Sequence, residues 1–134
     1  MFSSRTTFSM RTTLLRLVYE AFSKGSKIVG PSYIASNLNC SKSTAQKMLI
    51  KLSKEGLGEY IPKKGFMLNE EGIRIAKEAT RRHRLIECML EDFGVSNFCQ
   101  EAERIEGAIG EEFMKRIEQK YKNRVVCPCG KSIP

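Results

Sequence analysis

Residues 31–54 read PSYIASNLNCSKSTAQKMLIKLSK, and this stretch predicts two helices joined by a short turn. Pro31 suits the first position of a helix that continues over 32–37, and the polar residues after it supply the turn. Ser41 suits the N-cap of a second helix over 42–54, because its hydroxyl can accept a backbone N–H of the first turn. We therefore expect a helix–turn–helix.

The segments on either side extend this motif. Residues 11–24 carry apolar side chains at helical spacing and end at a glycine, which predicts a helix before the pair. Residues 57–61 and 66–69 read as two short strands around the turn Pro62-Lys63-Lys64-Gly65. Three helices followed by a hairpin with lysines at its tip is the order of a winged helix-turn-helix.

The second half of the chain is predicted to be helical. Asn69 to Gly72 offers a cap for a long amphipathic helix that ends near Gly94, and another helix is expected over about 98–121. The second helix would present an apolar stripe to a partner, made of Ile105, Ile109, Phe113 and Ile117. The fold class is therefore mainly α with a small β-wing, with a winged helix-turn-helix over 1–72 and a helical domain over 73–134.

The charge of the chain is concentrated in its first half. The net charge is +8, and residues 1–67 hold eleven basic side chains against three acidic ones. A basic half favours a polyanion such as double-stranded DNA as partner. No apolar run is long enough to cross a membrane and the first residues lack a signal-peptide core, so a cytoplasmic protein is expected. Five cysteines then indicate thiols or metal ligands rather than disulfides.

The exposed side of the helix over 42–54 is the candidate DNA-reading surface. Gln46 can pair with an adenine edge, Lys47 can reach guanine or phosphate, and the small hydroxyl residues allow close approach. The lysines of the wing would contact phosphates. An ordinary solvated helix face is the alternative. The predicted DNA-binding residues are Ser41, Lys42, Ser43, Thr44, Gln46, Lys47, Lys63 and Lys64.

Two predicted helices of the second half carry side chains that can bind a metal. His83 and Glu87 are four residues apart and share a helix face. Cys99, Glu103 and Glu106 share a face of the next helix. Imidazole, thiolate and carboxylate together suit iron(II), zinc or manganese, and the thiolate favours the softer metals. The alternative is a set of solvated surface residues.

These motifs resemble the diphtheria toxin repressor family, which includes iron-dependent repressors and manganese transport regulators. The resemblance covers residues 11–134. It is carried by Leu14-Leu-Arg-Leu-Val-Tyr-Glu20, His83-Arg-Leu-Ile-Glu87, Gln100-Glu-Ala-Glu103-Arg-Ile-Glu106 and Cys127-Pro-Cys-Gly-Lys-Ser-Ile-Pro134. It implies a homodimer in which a bound divalent metal orders two winged helices for a palindromic operator.

The resemblance also implies roles for individual residues. Ser41, Ser43, Thr44 and Lys47 fall where the family contacts DNA. His83 and Glu87 fall on metal ligands, and Cys99 stands where many members have a histidine ligand. Glu103 matches a position that is cysteine in iron-type members and glutamate in manganese-type members, and Glu106 matches a shared glutamate ligand. The predicted metal ligands are His83, Glu87, Cys99, Glu103 and Glu106, with iron(II) preferred and manganese or zinc as alternatives.

The sequence departs from the family pattern at three places. Gly107 and Thr13 occupy positions where members have metal ligands, so one of two metal sites is expected to be lost. Cys129 stands where the family ending has histidine, and the Cys127–Cys129 pair can be a soft-metal site, an oxidisable thiol pair or a plain turn. Members often continue into a small β-rich third domain, which this chain is expected to lack because it stops after Pro134.

The function expected from the sequence is a metal-responsive repressor. An enzyme is not expected, because no nucleophile–base pair and no glycine-rich phosphate loop is visible, and no small organic substrate is expected either. The alternative is a regulator of the same fold with a degraded metal site, independent of metal or responsive to thiol oxidation.

Overall fold

The computed structural model describes the backbone from Phe2 to Pro134 and the side chains from Met10 onward. Two compact units are present, one spanning Met10–Lys77 and one built on Glu78–Pro134 with the part of the first helix before Met10. Six helices and two strands occupy the described residues: α1 Phe2–Ser23, α2 Pro31–Leu38, α3 Lys42–Lys54, β1 Gly58–Ile61, β2 Gly65–Leu68, α4 Glu70–Asp92, α5 Phe98–Ile105 and α6 Glu111–Lys120. The mainly α fold with a small β-wing is thus confirmed.

The helix–turn–helix forms as its local signals predict. Asn39 ends α2 in the left-handed conformation (φ 54°), and the Cys40 N–H returns to the Ala35 carbonyl. The Ser41 hydroxyl then accepts the Thr44 backbone N–H at 3.0 Å. Burial of Leu49 and Leu52 fixes which side of α3 faces the core. The opposite side of α3 is left to solvent.

The wing is a two-stranded antiparallel hairpin extended by one bridge. β1 pairs with β2 from Gly58↔Leu68 to Ile61↔Gly65. Val29 exchanges both backbone hydrogen bonds with Phe66, at 2.9 and 2.8 Å. This bridge ties the hairpin to the linker before α2. The fully buried side chain of Phe66 anchors the hairpin at the same residue.

The cap of α4 joins three segments of the same unit. Asn69 accepts the Gly72 backbone N–H at 2.8 Å, and its side-chain amide donates to the Gly56 carbonyl at 2.9 Å. The predicted cap is confirmed. Gly72 is required here because a Cβ on it would overlap the Leu57 carbonyl and lie 2.8 Å from Leu68 Cδ2.

The unit built on Glu78–Pro134 has its own core, and its last residues return to α4. Arg81 donates to the Pro134 carbonyl at 3.1 Å, and Arg84 donates to the Ser132 carbonyl. Tyr121 donates to Asp92 Oδ2 at 2.5 Å, and burial together with this carboxylate raises the pKa of Tyr121 to about 12. The buried apolar residues are Leu85, Ile86, Cys88, Leu90, Ala102, Met114, Ile117 and Tyr121.

The predicted single helix over 98–121 is wrong. The chain breaks between α5 and α6, where the Ala108 N–H turns back to the Ile105 carbonyl and Gly110 caps α6. Two glycines within four residues make this break favourable. The expected apolar stripe is divided accordingly, because Ile117 belongs to the core while Phe113 is 51% exposed.

One further boundary differs from expectation. α1 begins at Phe2, well before residue 11. The division between the two compact units falls inside α4, after Lys77. No helix among the described residues is long and apolar enough to cross a membrane.

Gly72→Ala tests the close approach at the start of α4. The added methyl must displace the Leu57 backbone, so we expect unfolding to become easier by about 1–3 kcal/mol, although Ala ordinarily stabilises a helix relative to Gly. Chemical denaturation measures the change. Lys77→Ala, an exposed position of the same helix, is the control and should shift stability by less than about 0.5 kcal/mol. A stabilised Gly72→Ala variant would contradict the packing.

Candidate metal centre and DNA-facing surface

The centre of the candidate metal site is a pair of polar residues buried on one face of α4. His83 is 3% exposed and Glu87 is 1% exposed. They lie one helical turn apart, so both side chains project to the same side. Cys99, in the first turn of α5, faces them. Burial of an imidazole and a carboxylate side by side, with the exposed Cys99 thiol against them, is unusual for ordinary structural residues and indicates a ligand site.

The distances within this cluster suit one metal ion. His83 Nε2 lies 3.6 Å from Glu87 Oε2 and 3.6 Å from Cys99 Sγ. Ligand atoms of a tetrahedral zinc-like ion are separated by about 3.4 Å for a nitrogen–oxygen pair and about 3.6 Å for a nitrogen–sulfur pair. The three ligand atoms all lie within 4.8 Å of one another. The residues present therefore fit a divalent transition metal.

Glu87 is held in its ionised form. Burial acts to raise its pKa, but hydrogen bonding and the charge of His83, with the neighbouring thiols of Cys127 and Cys99, bring the pKa below its ordinary value. An ionised carboxylate is the form that binds a cation.

Glu106 lies on the other edge of the imidazole. Its Oε2 is 3.2 Å from His83 Nδ1, and the residue is 4% exposed at the C-terminal end of α5. Among the described side chains, Glu106 and Glu103 belong to neither cluster of three metal-binding groups. Gly107 offers no side chain, and Thr13 lies in the other unit. Of the five residues proposed from the sequence, His83, Glu87 and Cys99 converge, and Glu106 contacts the other edge of the His83 ring.

A second cluster adjoins the first, and the sequence indicated only its two cysteines, as a possible soft-metal pair, without Glu87. Cys127 and Cys129 join Glu87, and these three ligand atoms also lie within 4.8 Å of one another. Cys129 Sγ is 3.7 Å from both carboxylate oxygens of Glu87, and the two sulfurs are 2.9 Å apart. The Cys-x-Cys spacing was the available signal, but nothing local connects it to a glutamate forty residues earlier.

The turn that carries the two cysteines is closed by its own backbone. The Gly130 N–H donates to the Cys127 carbonyl, and the Cys127 N–H donates to the Lys131 carbonyl. Gly130 adopts φ 88°, which favours glycine. Although Cys129 is exposed as a residue, partial burial of its sulfur, with Cys127 and Glu87 beside it, raises its pKa to about 12. A bound cation would favour the thiolate form, because its charge opposes the effect of burial and of the neighbouring Glu87 carboxylate.

The DNA-facing surface lies in the unit Met10–Lys77. Ser41 and Thr44 are joined by a hydroxyl–hydroxyl bond of 2.9 Å, so both help to shape the start of α3. Lys63 adopts φ 67° at the tip of the wing. α3 packs against both wing strands through its apolar side. All eight residues proposed from the sequence are exposed: Ser41, Lys42, Ser43, Thr44, Gln46, Lys47, Lys63 and Lys64.

Two family models match the chain. The N-terminal DNA-binding domain of the iron-dependent repressors matches residues 9–66. The metal-binding and dimerisation domain of the iron-dependent repressors matches residues 69–134.

Individual relatives agree with these matches. The transcriptional regulator MntR of Escherichia coli O157:H7 is 38% identical over 81 residues, which cover 59% of this chain and 52% of that protein. An HTH-type transcriptional regulator of Methanocaldococcus jannaschii is 27% identical over 117 residues, covering 83% of this chain and 94% of the relative. The chain spans about half the length of the MntR relatives that it matches.

Solved structures resemble this chain over most of its length. A manganese-dependent transcriptional repressor in complex with manganese superposes with a TM-score of 0.80 at 28% identity, covering 92% of this chain and 58% of that one. The manganese regulator SloR gives a TM-score of 0.78 at 28% identity, and the match covers 92% of this chain and 59% of SloR. The winged helix-turn-helix followed by a helical domain is thereby confirmed. Because the two family models together match 9–66 and 69–134, the chain belongs to the iron-dependent repressor family.

Proposed function

We propose that this protein is a metal-responsive transcriptional repressor that binds a palindromic operator as a homodimer when a divalent metal is bound. The observation that carries the proposal is the cluster of buried His83 and Glu87 with exposed Cys99, whose spacing suits one metal ion, in a chain that also presents a helix–turn–helix. It would act in the cytoplasm on chromosomal DNA, as a regulator and not as an enzyme, with no small organic substrate.

We assign the two tasks to the two halves of the chain. DNA reading belongs to the winged helix-turn-helix, placed by the sequence in 1–72, and metal binding and dimerisation belong to 73–134. Support comes from the position of all eight candidate DNA-binding residues in the unit Met10–Lys77 and of both thiol-containing clusters in the other unit. Exposed Phe113 is an available contact for the second subunit.

We propose His83, Glu87 and Cys99 as the principal metal ligands, with Glu103 as an additional candidate and Cys127 and Cys129 in an adjoining site that shares Glu87. The metal supplies a cationic centre that holds α4 and α5 in one arrangement. Thiolate and imidazole donors favour iron(II) and zinc over manganese in such a set. Iron(II) is our preferred metal, although the similar structures include a repressor in complex with manganese and ScaR with bound zinc or cadmium.

The start of α3 would enter the major groove. Gln46 and Lys47 are exposed there and can reach base edges, while Ser43 is small enough to allow close contact. Lys63 and Lys64 at the wing tip would neutralise phosphates, so binding should weaken as salt rises. With two half-sites about one DNA turn apart, fixing the protein dimer geometry raises affinity without any new base contact.

A second candidate function is favoured by one distance. The Cys127 and Cys129 sulfurs are 2.9 Å apart as free thiols, so a regulator of the same fold that responds to thiol oxidation instead of metal is the alternative. Metal analysis of the purified protein, combined with gel shifts in chelator, iron(II), manganese and oxidant, separates the two. Binding that ignores chelator but changes with oxidant would favour the alternative.

His83→Ala and Glu87→Ala test the metal site. Each removes a ligand, so we expect iron(II) affinity to fall by at least about 10–100-fold. That is the loss typically caused by changing a residue that contacts a ligand and not the metal itself. Anaerobic titration measures the affinity, and fluorescence anisotropy with DNA selected by the metal-loaded protein measures the linked loss of DNA binding. Glu101→Ala, an acidic residue of α5 outside both clusters, is the control. Unchanged metal dependence in both variants would reject the assignment.

Lys47→Ala and Lys63→Ala test the roles of α3 and the wing. We expect Lys47→Ala to lose about 1–3 kcal/mol of discrimination between operator and random DNA, because Lys47 faces base edges. Lys63→Ala should weaken binding to both sequences similarly and lower the salt slope by about one. Anisotropy over a salt series measures both quantities. The reverse ranking would contradict the groove assignment.

Cadmium titration tests the thiolate content of the two clusters. Thiolate-to-cadmium charge-transfer absorbance grows with the number of sulfur ligands. We expect Cys99→Ser to remove about a third of it and the double change Cys127→Ser with Cys129→Ser to remove about two thirds, because each sulfur supplies one bond. Cys40→Ser, in the other unit, is the matched control. Equal absorbance in the wild type and the double variant would show that Cys127 and Cys129 do not bind the cadmium ion.

A further inference from the structure

The imidazole of His83 is contacted on both edges. Nε2 faces Glu87 and Cys99, each at 3.6 Å, and Nδ1 faces Glu106 Oε2 at 3.2 Å. The Nδ1–Oε2 separation is at the outer limit of an N–H···O hydrogen bond, and the Nε2–Oε2 separation is beyond it. The stronger hydrogen bond therefore lies on the Glu106 side.

One helix supplies the groups on both edges of the ring. Cys99 is in the first turn of α5, and Glu106 follows its last residue, where the Glu106 backbone N–H donates to the Ala102 carbonyl at 2.9 Å. Seven residues of helix separate them by about 10 Å along the axis. That length accommodates the ring and one contact on each side. Glu106 is 4% exposed, so its carboxylate is held in place rather than free in solvent.

A neutral imidazole has one N–H donor and one acceptor nitrogen. If Nδ1 carries the proton and donates it to a carboxylate, the lone pair is left on Nε2, which is the nitrogen that faces Glu87 and Cys99. Carboxylates that orient ligand histidines in this way make the ring more basic and fix its orientation.

We propose that Glu106 is a positioning residue that holds His83 with its proton on Nδ1 and leaves Nε2 to bind the metal, instead of being a metal ligand itself. This inference rests on the proposed metal-binding function. It assigns Glu106 a role different from the one expected from the resemblance. The assignment is supported by the position of Glu106 Oε2 beside Nδ1, the ring nitrogen that does not face Glu87 and Cys99. Gly107, beside it, offers no imidazole to complete a second site.

The first test uses the metal-free protein. The chain contains a single histidine, so the imidazole signals in a long-range ¹H–¹⁵N spectrum belong to His83 without ambiguity. At a pH where the ring is neutral, the wild type should show the Nδ1–H form. Glu106→Ala should shift the ring toward the Nε2–H form, while Glu106→Gln, which keeps an acceptor oxygen, should retain Nδ1–H. Glu101→Gln on the same helix should change nothing. An Nε2–H ring in the folded wild type would overturn the proposal.

The second test measures metal binding. We expect Glu106→Ala to weaken iron(II) or cobalt(II) binding by about 10–100-fold at unchanged stoichiometry. Glu106→Gln should stay within about fivefold of the wild type, with the same cobalt(II) absorption spectrum, because no ligand is lost. A changed spectrum in Glu106→Gln would show direct ligation and refute the positioning role.

The two tests separate the inference from the function on which it rests. If the wild type binds no metal, the proposed function fails, yet the tautomer of metal-free His83 still reports on Glu106. Circular dichroism verifies that each variant is folded. Should Glu106→Ala fail to fold, the nearly isosteric Glu106→Gln decides alone through its cobalt(II) spectrum and its tautomer.

Discussion

The structure of the Glu78–Pro134 unit depends on the burial of one imidazole between two helices. His83 can be taken out of water only because both ring nitrogens meet polar partners, Glu106 on one edge and Glu87 with Cys99 on the other. That requirement fixes α5 against α4 at the place where Cys99 and Glu106 can both reach the ring. A metal at this position would strengthen a contact that the fold already makes.

The return of the last residues to α4 adds a second set of groups to the same place. Arg81 and Arg84 hold the carbonyls of Pro134 and Ser132, and this brings the cysteine turn to Glu87. One carboxylate thus contacts donors from three separate segments. Such a concentration of thiols around a carboxylate favours softer divalent metals.

Local signals account for most of the secondary structure. Ser41 and Asn69 cap the helices that follow them, and Asn39 and Lys63 take the left-handed conformation in tight turns. The expected helix over 98–121 was wrong for a local reason as well. Its apolar spacing continues across Gly107 and Gly110, and periodicity alone does not register the glycines that separate α5 from α6.

The sequence by itself determined the order of the winged helix-turn-helix, the exposed face of α3, and the pairing of His83 with Glu87, because each depends on residues within one or two helical turns. Only the tertiary structure brought Cys99 to one edge of the His83 ring and Glu106 to the other. It also brought Cys127 and Cys129 to Glu87. Helical spacing places residues on a common face, but which edge of a buried ring each side chain reaches depends on how separate segments pack.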